Sequence, residues 1–258
     1  MHHNVLWTSG WDSTYRVCDL VLTKKHTVQP YYVRDHGRQS ADLEIRTMDK
    51  LANMMFTIDE TARDRLLDVK ITELADIPIV QEMEDYWQTL TNEKRLGTQY
   101  AWLASFAIFL GLDDLELSIK RDGRLRPLLA KNVELVSTGD DSYYQLISSP
   151  SRKELKLFSR YRFPILGMTK LEVGKKAEQS GFGHILEETW FCFNPTPDEK
   201  PCGRCKPCKF VKEDGLSRRV PYITLKSRVY HFFFSIVKKL QMRFLYREAD
   251  LVARTERG

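Results

Sequence analysis

Four cysteines in the last third of the chain have the spacing of a metal site. They follow the pattern Cys-x9-Cys-x2-Cys-x2-Cys and are Cys192, Cys202, Cys205 and Cys208. A Cys-x2-Cys turn offers two thiolates to one ion, and four thiolates satisfy the tetrahedral preference of Zn²⁺. Because four protein ligands leave no open position, we expect a structural zinc site. Two disulfides or an iron–sulfur cluster would use the same residues.

A second chemical signal lies near the N-terminus, in the polar loop Thr8–Thr14. An apolar run over residues 4–7 precedes this loop, and apolar residues at helical spacing follow it, so the order is strand, tight loop, helix. The N–H groups of such a loop and the positive end of the helix dipole together bind anions, most often phosphate. An ordinary N-capped helix, with Ser9 or Asp12 as the cap, explains the same residues equally well.

Basic residues in two other places favour an anionic ligand. The segment Lys120–Arg126 follows a predicted strand, and arginine binds carboxylate or phosphate bidentately, although a solvated turn is the commoner explanation of such a run. Lys170 begins a predicted helix that Thr169 would cap. A cation is unfavourable at that end of a helix, so an anionic ligand would explain Lys170, and a simple surface lysine explains it equally well.

Strands and helices alternate between these groups. Strands are predicted over residues 4–7, 27–33, 66–71 and 115–119, helices over 43–55, 99–110 and 170–179, and an exposed helix or lid over 75–94. The alternation predicts an α/β fold, a doubly wound, mostly parallel sheet, with Pro30 at an edge or a strand start. Ligands bind such sheets at the carboxyl ends of the strands, so the two loops should share one edge.

The motifs together resemble the QueC family of 7-cyano-7-deazaguanine synthases, which are N-type ATP pyrophosphatases. Thr8–Ser13 is similar to their loop Ser-Gly-Gly-x-Asp-Ser, with Thr8 for the first Ser and Ser9 for the first Gly. The segment Trp190–Cys208 resembles their Trp/Tyr-x-Cys…Cys-Gly-x-Cys-x-x-Cys zinc site, and Pro164–Glu172 resembles their Pro-Leu-x-x-x-x-Lys-x-Glu segment. The likeness covers residues 4–215.

The resemblance implies a PP-loop fold of the adenine nucleotide alpha hydrolase type and an ATP-dependent ligase. Such enzymes adenylate the carboxylate of 7-carboxy-7-deazaguanine, and ammonia then gives an amide and finally a nitrile. The implied cofactors are ATP, Mg²⁺ and Zn²⁺, with Asp12 acting with Mg²⁺ and Lys170 neutralising phosphate charge as catalytic residues. The implied ATP-binding residues are Thr8, Ser9, Gly10, Asp12, Ser13 and Thr14.

The chain departs from the family between these motifs. Lys120–Arg124 stands where the family has Asp-x-Ser-Gly-Tyr-Pro-Asp-Cys. We expect Arg121 in this loop to bind the substrate, together with Arg38 in a segment that resembles the family's Gly-x-Arg loop. QueC-like proteins also occur in antiphage operons, including CBASS, where an amine of a protein from the same operon replaces ammonia. The nitrogen acceptor therefore stays open.

Two other functions are alternatives. A nucleotide- or RNA-binding module could keep the fold without the chemistry, and Ser9 in the loop favours that interpretation. A tRNA-modifying enzyme that adenylates and transfers sulfur would need a free catalytic thiol. Cys18 in the first helix is poorly placed for this role and is expected in the core.

Charge and hydropathy divide the chain into three predicted parts, residues 1–185, 186–216 and 217–258. The last part is predicted to be a basic amphipathic helix, since residues 216–258 contain ten Lys/Arg and three Asp/Glu. A homodimer contact or a protein partner is expected for it, and its apolar content disfavours nucleic acid. With no signal-like start and no apolar run of about 18 residues, we expect a cytoplasmic protein without a transmembrane segment.

Overall fold

The computed structural model describes residues 1–93, 96–123 and 125–221 of the 258-residue chain. The chain divides into two compact units, Met1–Phe193 and Asn194–Gly258. The domain boundaries predicted after residues 185 and 216 stay predictions. From residue 222 onward, the predicted basic helix lies outside the described residues.

Within the described residues, seven strands form one sheet. They are β1 (His2–Leu6), β2 (Thr27–Arg34), β3 (Lys70–Glu73), β4 (Leu115–Glu116), β5 (Val133–Thr138), β6 (Asp141–Leu146) and β7 (Tyr161–Phe163). Their order is β3-β2-β1-β4-β7-β6-β5. Neighbours from β3 to β7 are parallel, whereas β6 is antiparallel to both β7 and β5. The predicted α/β fold with a mostly parallel sheet is confirmed.

The described part of the chain contains eight α-helices. They are α1 (Trp11–Cys18), α2 (Ala41–Ile58), α3 (Gln81–Glu93), α4 (Gln99–Leu110), α5 (Arg126–Leu129), α6 (Lys170–Gln179), α7 (Gly183–Glu187) and α8 (Lys206–Glu213). The predicted bounds of α4 and α6 are confirmed, and α3 accounts for most of the segment predicted as an exposed helix or lid. None of the described helices has the length and hydropathy needed to cross a membrane.

The environment of Pro30 differs from the prediction. β2 lies between β1 and β3, so the prediction that Pro30 marks an edge strand or a strand start is wrong. The ladder towards β3 is interrupted between the Val28–Leu66 bridge and the Tyr31–Lys70 pair. An internal proline is tolerated because its missing N–H falls in this gap. The interruption also explains why β3 starts later than predicted.

The alternation of strands and helices does not predict the antiparallel strands β5 and β6. β5 and β6 form a hairpin whose last pair is Thr138 and Asp141. The two residues between them are Gly139 and Asp140, and Gly139 has a φ of +62°. A two-residue turn with glycine between alternating runs is a hairpin signal. The sequence therefore contained the information for this element.

A buried charged cluster fixes α1 against the sheet. Arg16 is 2% exposed and donates hydrogen bonds to Glu116 of β4 at 2.6 and 2.9 Å. It also donates to Asp141 of β6 at 2.9 and 2.6 Å, and His3 Nδ1 lies 2.8 Å from Glu116 Oε1. Burial raises the pKa of both carboxyl groups, but the charge and hydrogen bonds of Arg16 outweigh burial and hold both pKa values below their ordinary range.

Candidate nucleotide site and cysteine cluster

Residues 7–10 connect β1 to α1, and the rest of the predicted loop, up to Thr14, is the first turn of α1. Ser13 Oγ accepts a hydrogen bond from the Thr8 N–H at 3.3 Å and donates to the Gly10 carbonyl at 3.3 Å. Gly10 is the N-cap residue of α1 and has no side chain that could cap the helix. The alternative in which Ser9 or Asp12 is the N-cap residue is therefore wrong. A glycine N-cap at the start of a helix suits an anion-binding loop, because the backbone there can approach a ligand closely.

Ser9 adopts a conformation that normally requires glycine. Its φ is +53°, in the left-handed region, and the residue is fully buried. Its carbonyl accepts a hydrogen bond from the Trp190 N–H at 2.9 Å, which ties the loop to the segment before the cysteines. Its Oγ has no hydrogen-bond partner among the described residues. Strained residues of this kind concentrate at functional sites.

Replacing Ser9 by glycine should stabilise the protein. The left-handed conformation costs a non-glycine residue about 1 kcal/mol, and the change also removes a buried hydroxyl without a partner. We expect Ser9→Gly to raise the free energy of unfolding in urea by about 1 kcal/mol. The matched control is Ser13→Gly in α1, which should lower it by about 0.5–1 kcal/mol. Equal destabilisation by both variants would contradict the assigned strain.

Asp12 and Lys170, the two residues predicted as catalytic, lie together. Lys170 Nζ is 3.6 Å from Asp12 Oδ2, and their side chains are 11% and 24% exposed. Lys170 is the first residue of α6, and Gly174 of the same helix faces Trp11 of α1. A Cβ there would lie 3.4 Å from Trp11. A carboxylate at the start of α1 is thus one partner of Lys170, and its anionic ligand stays a prediction.

Both arginines predicted to bind substrate already have carboxylate partners. Arg121 Nη2 donates to both oxygens of Glu172 at 3.0 Å. Arg38 Nε lies 3.3 Å from Asp35 Oδ2, and its guanidinium is 4.6 Å from the centre of the Phe193 ring. Their roles in substrate binding therefore stay predictions. The pattern Thr-x-x-Glu at Thr169–Glu172, typical of a capping box, was the available signal for the position of Glu172.

Three of the four cysteines predicted as metal ligands lie close together in the second unit. The sulfurs of Cys202 and Cys208 are 3.9 Å apart. The Cys205 and Cys208 sulfurs are 3.4 Å apart. The N–H groups of Arg204 and Cys205 donate to the Cys202 sulfur at 3.4 and 3.3 Å, which favours a thiolate. All five cysteines are free of disulfides. The cluster could therefore bind zinc.

Packing explains two other groups of chemically interesting residues. Cys18 is buried in α1, and burial, with nearby Asp19, raises the pKa of its thiol, so the prediction of a core residue is confirmed. His3, Glu116 and Asp141 bring together atoms that could hold a metal ion. Arg16, however, already donates hydrogen bonds to both carboxylates, so this group does not need a cation.

Comparison with known proteins finds a family and several relatives. Residues 135–218 match the family model of the queuosine biosynthesis protein QueC. The 7-cyano-7-deazaguanine synthase of Syntrophotalea carbinolica is 26% identical over 235 residues, which covers 84% of this chain and 95% of the relative. The protein of that name from Geobacter metallireducens is 24% identical over 243 residues, with 86% and 94% coverage. The one from Geotalea uraniireducens is 23% identical over 238 residues, with 85% and 96% coverage.

These matches agree with the structure. The span covered by the family model includes Lys170 and the four cysteines predicted as metal ligands. The first two relatives align with 84% and 86% of the chain. The sheet topology and the strand–loop–helix at the N-terminus are consistent with a PP-loop protein. The chain is therefore similar to the QueC family over residues 135–218 and to 7-cyano-7-deazaguanine synthases over most of its length.

Proposed function

We propose that the protein is an ATP-dependent ligase that adenylates the carboxylate of 7-carboxy-7-deazaguanine and passes it to a nitrogen nucleophile. One observation carries the proposal. Asp12 and Lys170 meet at 3.6 Å beside a loop whose helix has no capping side chain, in a chain with relatives named 7-cyano-7-deazaguanine synthases. A carboxylate and an ammonium group at an anion-binding loop suit phosphate chemistry.

The first step balances as an exchange at phosphorus. A carboxylate oxygen of the substrate forms a bond to the α-phosphorus of ATP, the bond from that phosphorus to the bridging oxygen breaks, and pyrophosphate leaves. The N–H groups at the start of α1 and the hydroxyls of Thr8 and Ser13 receive the leaving pyrophosphate. Lys170 offsets its developing negative charge. Asp12 would hold Mg²⁺, which binds one or two carboxylates plus phosphate oxygens and would neutralise further phosphate charge.

The second step sets the product. Ammonia attacks the activated carbonyl and AMP leaves, which gives the amide. A second ATP then adenylates the amide oxygen, and loss of AMP and protons leaves the nitrile. An amine of a protein partner in place of ammonia would stop the reaction at a conjugate, because its nitrogen keeps a carbon substituent.

The test is pyrophosphate release with each component left out in turn. We expect release to require ATP and 7-carboxy-7-deazaguanine, and mass spectrometry with ammonia to detect the amide and the nitrile. ATP cleavage at the same rate without the base would overturn the substrate assignment. Release without any small-molecule product, accompanied by a mass increase on an added protein, would favour the protein acceptor.

The cysteine cluster is proposed to hold one structural zinc ion. We expect about one zinc per chain in the purified protein and almost none in Cys208→Ser, with a lower melting temperature for the variant, because one lost ligand opens a four-ligand site. Cys18→Ala is the control, since its thiol lies outside the cluster, and its zinc content should be unchanged. Elemental analysis measures both. Full zinc content in Cys208→Ser would contradict the assignment.

A further inference from the structure

The loop after β4 is attached to the start of α6 through Arg121. The Arg121 N–H donates to the Met168 carbonyl at 2.7 Å, and its Nη1 donates to the Gly167 carbonyl at 3.2 Å. Its Nη2 donates to both carboxylate oxygens of Glu172 at 3.0 Å. One residue therefore contacts the backbone before the helix and a side chain in its first turn.

Glu172 also holds the start of the helix in place. Its Oε2 accepts hydrogen bonds from the Thr169 N–H at 2.7 Å and from Thr169 Oγ1 at 2.9 Å, and its own N–H donates to Thr169 Oγ1 at 3.3 Å. The hydrogen bonds from Thr169 lower the pKa of the Glu172 carboxyl group most. The hydrogen bonds and the positive charge of Arg121 lower it further. Lys170 lies between the two residues of this capping box.

Global stability does not account for this arrangement. Arg121 and Glu172 are 49% and 48% exposed, and exposed ion pairs contribute little to the free energy of folding. A guanidinium bound to both oxygens of a carboxylate does, however, fix their relative orientation. What it fixes here is the first turn of α6, which carries Lys170 towards Asp12.

We propose that Arg121 is a positioning residue for Lys170 and acts through Glu172. This inference rests on the proposed function, because Lys170 is the group that offsets phosphate charge there. Arg121, which lies in the segment where the chain departs from the family, thus contributes to the site by holding a helix rather than by contacting the substrate. Without Arg121, the start of α6 can shift, and the 3.6 Å separation of Lys170 and Asp12 is no longer enforced.

The test uses a double-mutant cycle with two measurements. Arg121→Gln removes the guanidinium, and Glu172→Gln removes the charge but retains an oxygen that can serve in a capping box. We expect each single variant to lower kcat for pyrophosphate release about tenfold, with little change in the KM for the carboxylate, because small misplacements of a catalytic group are costly. The double variant should be no worse than either single variant, because all three lose the same contact.

The second measurement does not depend on turnover. Wild-type and variant proteins are treated with an amine-reactive acetylating reagent, and mass spectrometry follows the modification of Lys170. We expect acetylation of Lys170 to be several-fold faster in Arg121→Gln and Glu172→Gln. The control pair is Arg152→Gln and Glu93→Gln, which breaks another bidentate surface pair, with oxygens 2.5 and 2.8 Å from the guanidinium, and should change neither measurement.

The outcomes separate this inference from the proposed function. If no pyrophosphate is released by the wild type, the proposed function fails, and faster acetylation of Lys170 in the variants still supports the positioning role. If the wild type is active and both measurements are unchanged in Arg121→Gln, the inference is overturned. A raised KM at unchanged kcat would also overturn it, since that result would assign Arg121 to substrate binding.

Discussion

Replacing Asp12 by alanine should lower ATP-dependent pyrophosphate release by at least about a thousandfold, the scale of loss seen when a transition-state electrostatic group is removed. Asp12 supplies a carboxylate 3.6 Å from Lys170 at the start of α1. Its removal takes away both the proposed Mg²⁺ ligand and the partner that holds the ammonium group. The loss should fall on kcat, because both interactions act on charge that develops as pyrophosphate leaves.

The measurement is steady-state pyrophosphate release at saturating ATP and carboxylate. The control is Asp42→Asn at the start of α2, which breaks an exposed ion pair with Arg34 at 3.3 Å and should leave kcat unchanged. Melting temperatures of both variants exclude unfolding as the cause. Turnover within a few-fold of wild type in Asp12→Ala would exclude a catalytic role for this residue and would favour a module that binds nucleotide without the chemistry.

Replacing Arg16 by methionine should destabilise the protein by about 3–5 kcal/mol, the range for breaking a buried charge pair from one side. Methionine fills much of the same volume but removes four hydrogen bonds from Glu116 and Asp141 and leaves them only His3 and, 3.8 Å from Asp141, Lys24 as neighbouring bases. Neither carboxylate has access to solvent, because their side chains are 1% and 3% exposed. Urea denaturation measures the loss, and Arg160→Met, which breaks an exposed pair with Asp113, should have a much smaller effect.

The pH dependence of stability should also change sign. In the wild type, Arg16 holds the pKa values of Glu116 and Asp141 below their ordinary range, so this stability is present at neutral pH and is lost as pH falls through the folded-state values. In Arg16→Met, burial, the largest contribution for both groups, should outweigh the remaining effects of His3 and Lys24 and raise both pKa values above those of the unfolded chain. The folded state then binds more protons, and stability should rise between about pH 7 and pH 5. A variant that is less stable at pH 5 than at pH 7 would contradict the assignment.

Sequence patterns predicted the parts of the fold that short segments determine. Thr169 and Glu172 form the capping box at the start of α6. Gly111, at a φ of +65°, is the C-cap residue of α4. Both helices have the predicted bounds. The family resemblance implied that Asp12 and Lys170 both act at the phosphates, but it did not predict their contact, since 158 positions separate the two residues and no periodicity links them. In each successful case a local rule or a known motif carried the information.

The contacts that could not be predicted join residues that lie far apart in the sequence. Arg16 is 100 positions from Glu116 and 125 from Asp141, and nothing local marks any of them as buried. The pairing of Arg121 with Glu172 is similar, because an arginine in a basic loop is typical of a solvated turn or an anion site. Its internal carboxylate partner appears only when α6 is placed beside the loop after β4.

The central proposal is that a carboxylate of the substrate attacks ATP at the α-phosphorus. We would supply 7-carboxy-7-deazaguanine labelled with oxygen-18 in both carboxylate positions, together with ATP and ammonia, and measure the masses of AMP and pyrophosphate. The predicted result is AMP that carries one labelled oxygen and pyrophosphate that carries none. Unlabelled AMP, or ADP and phosphate in place of AMP and pyrophosphate, would contradict the proposed adenylation.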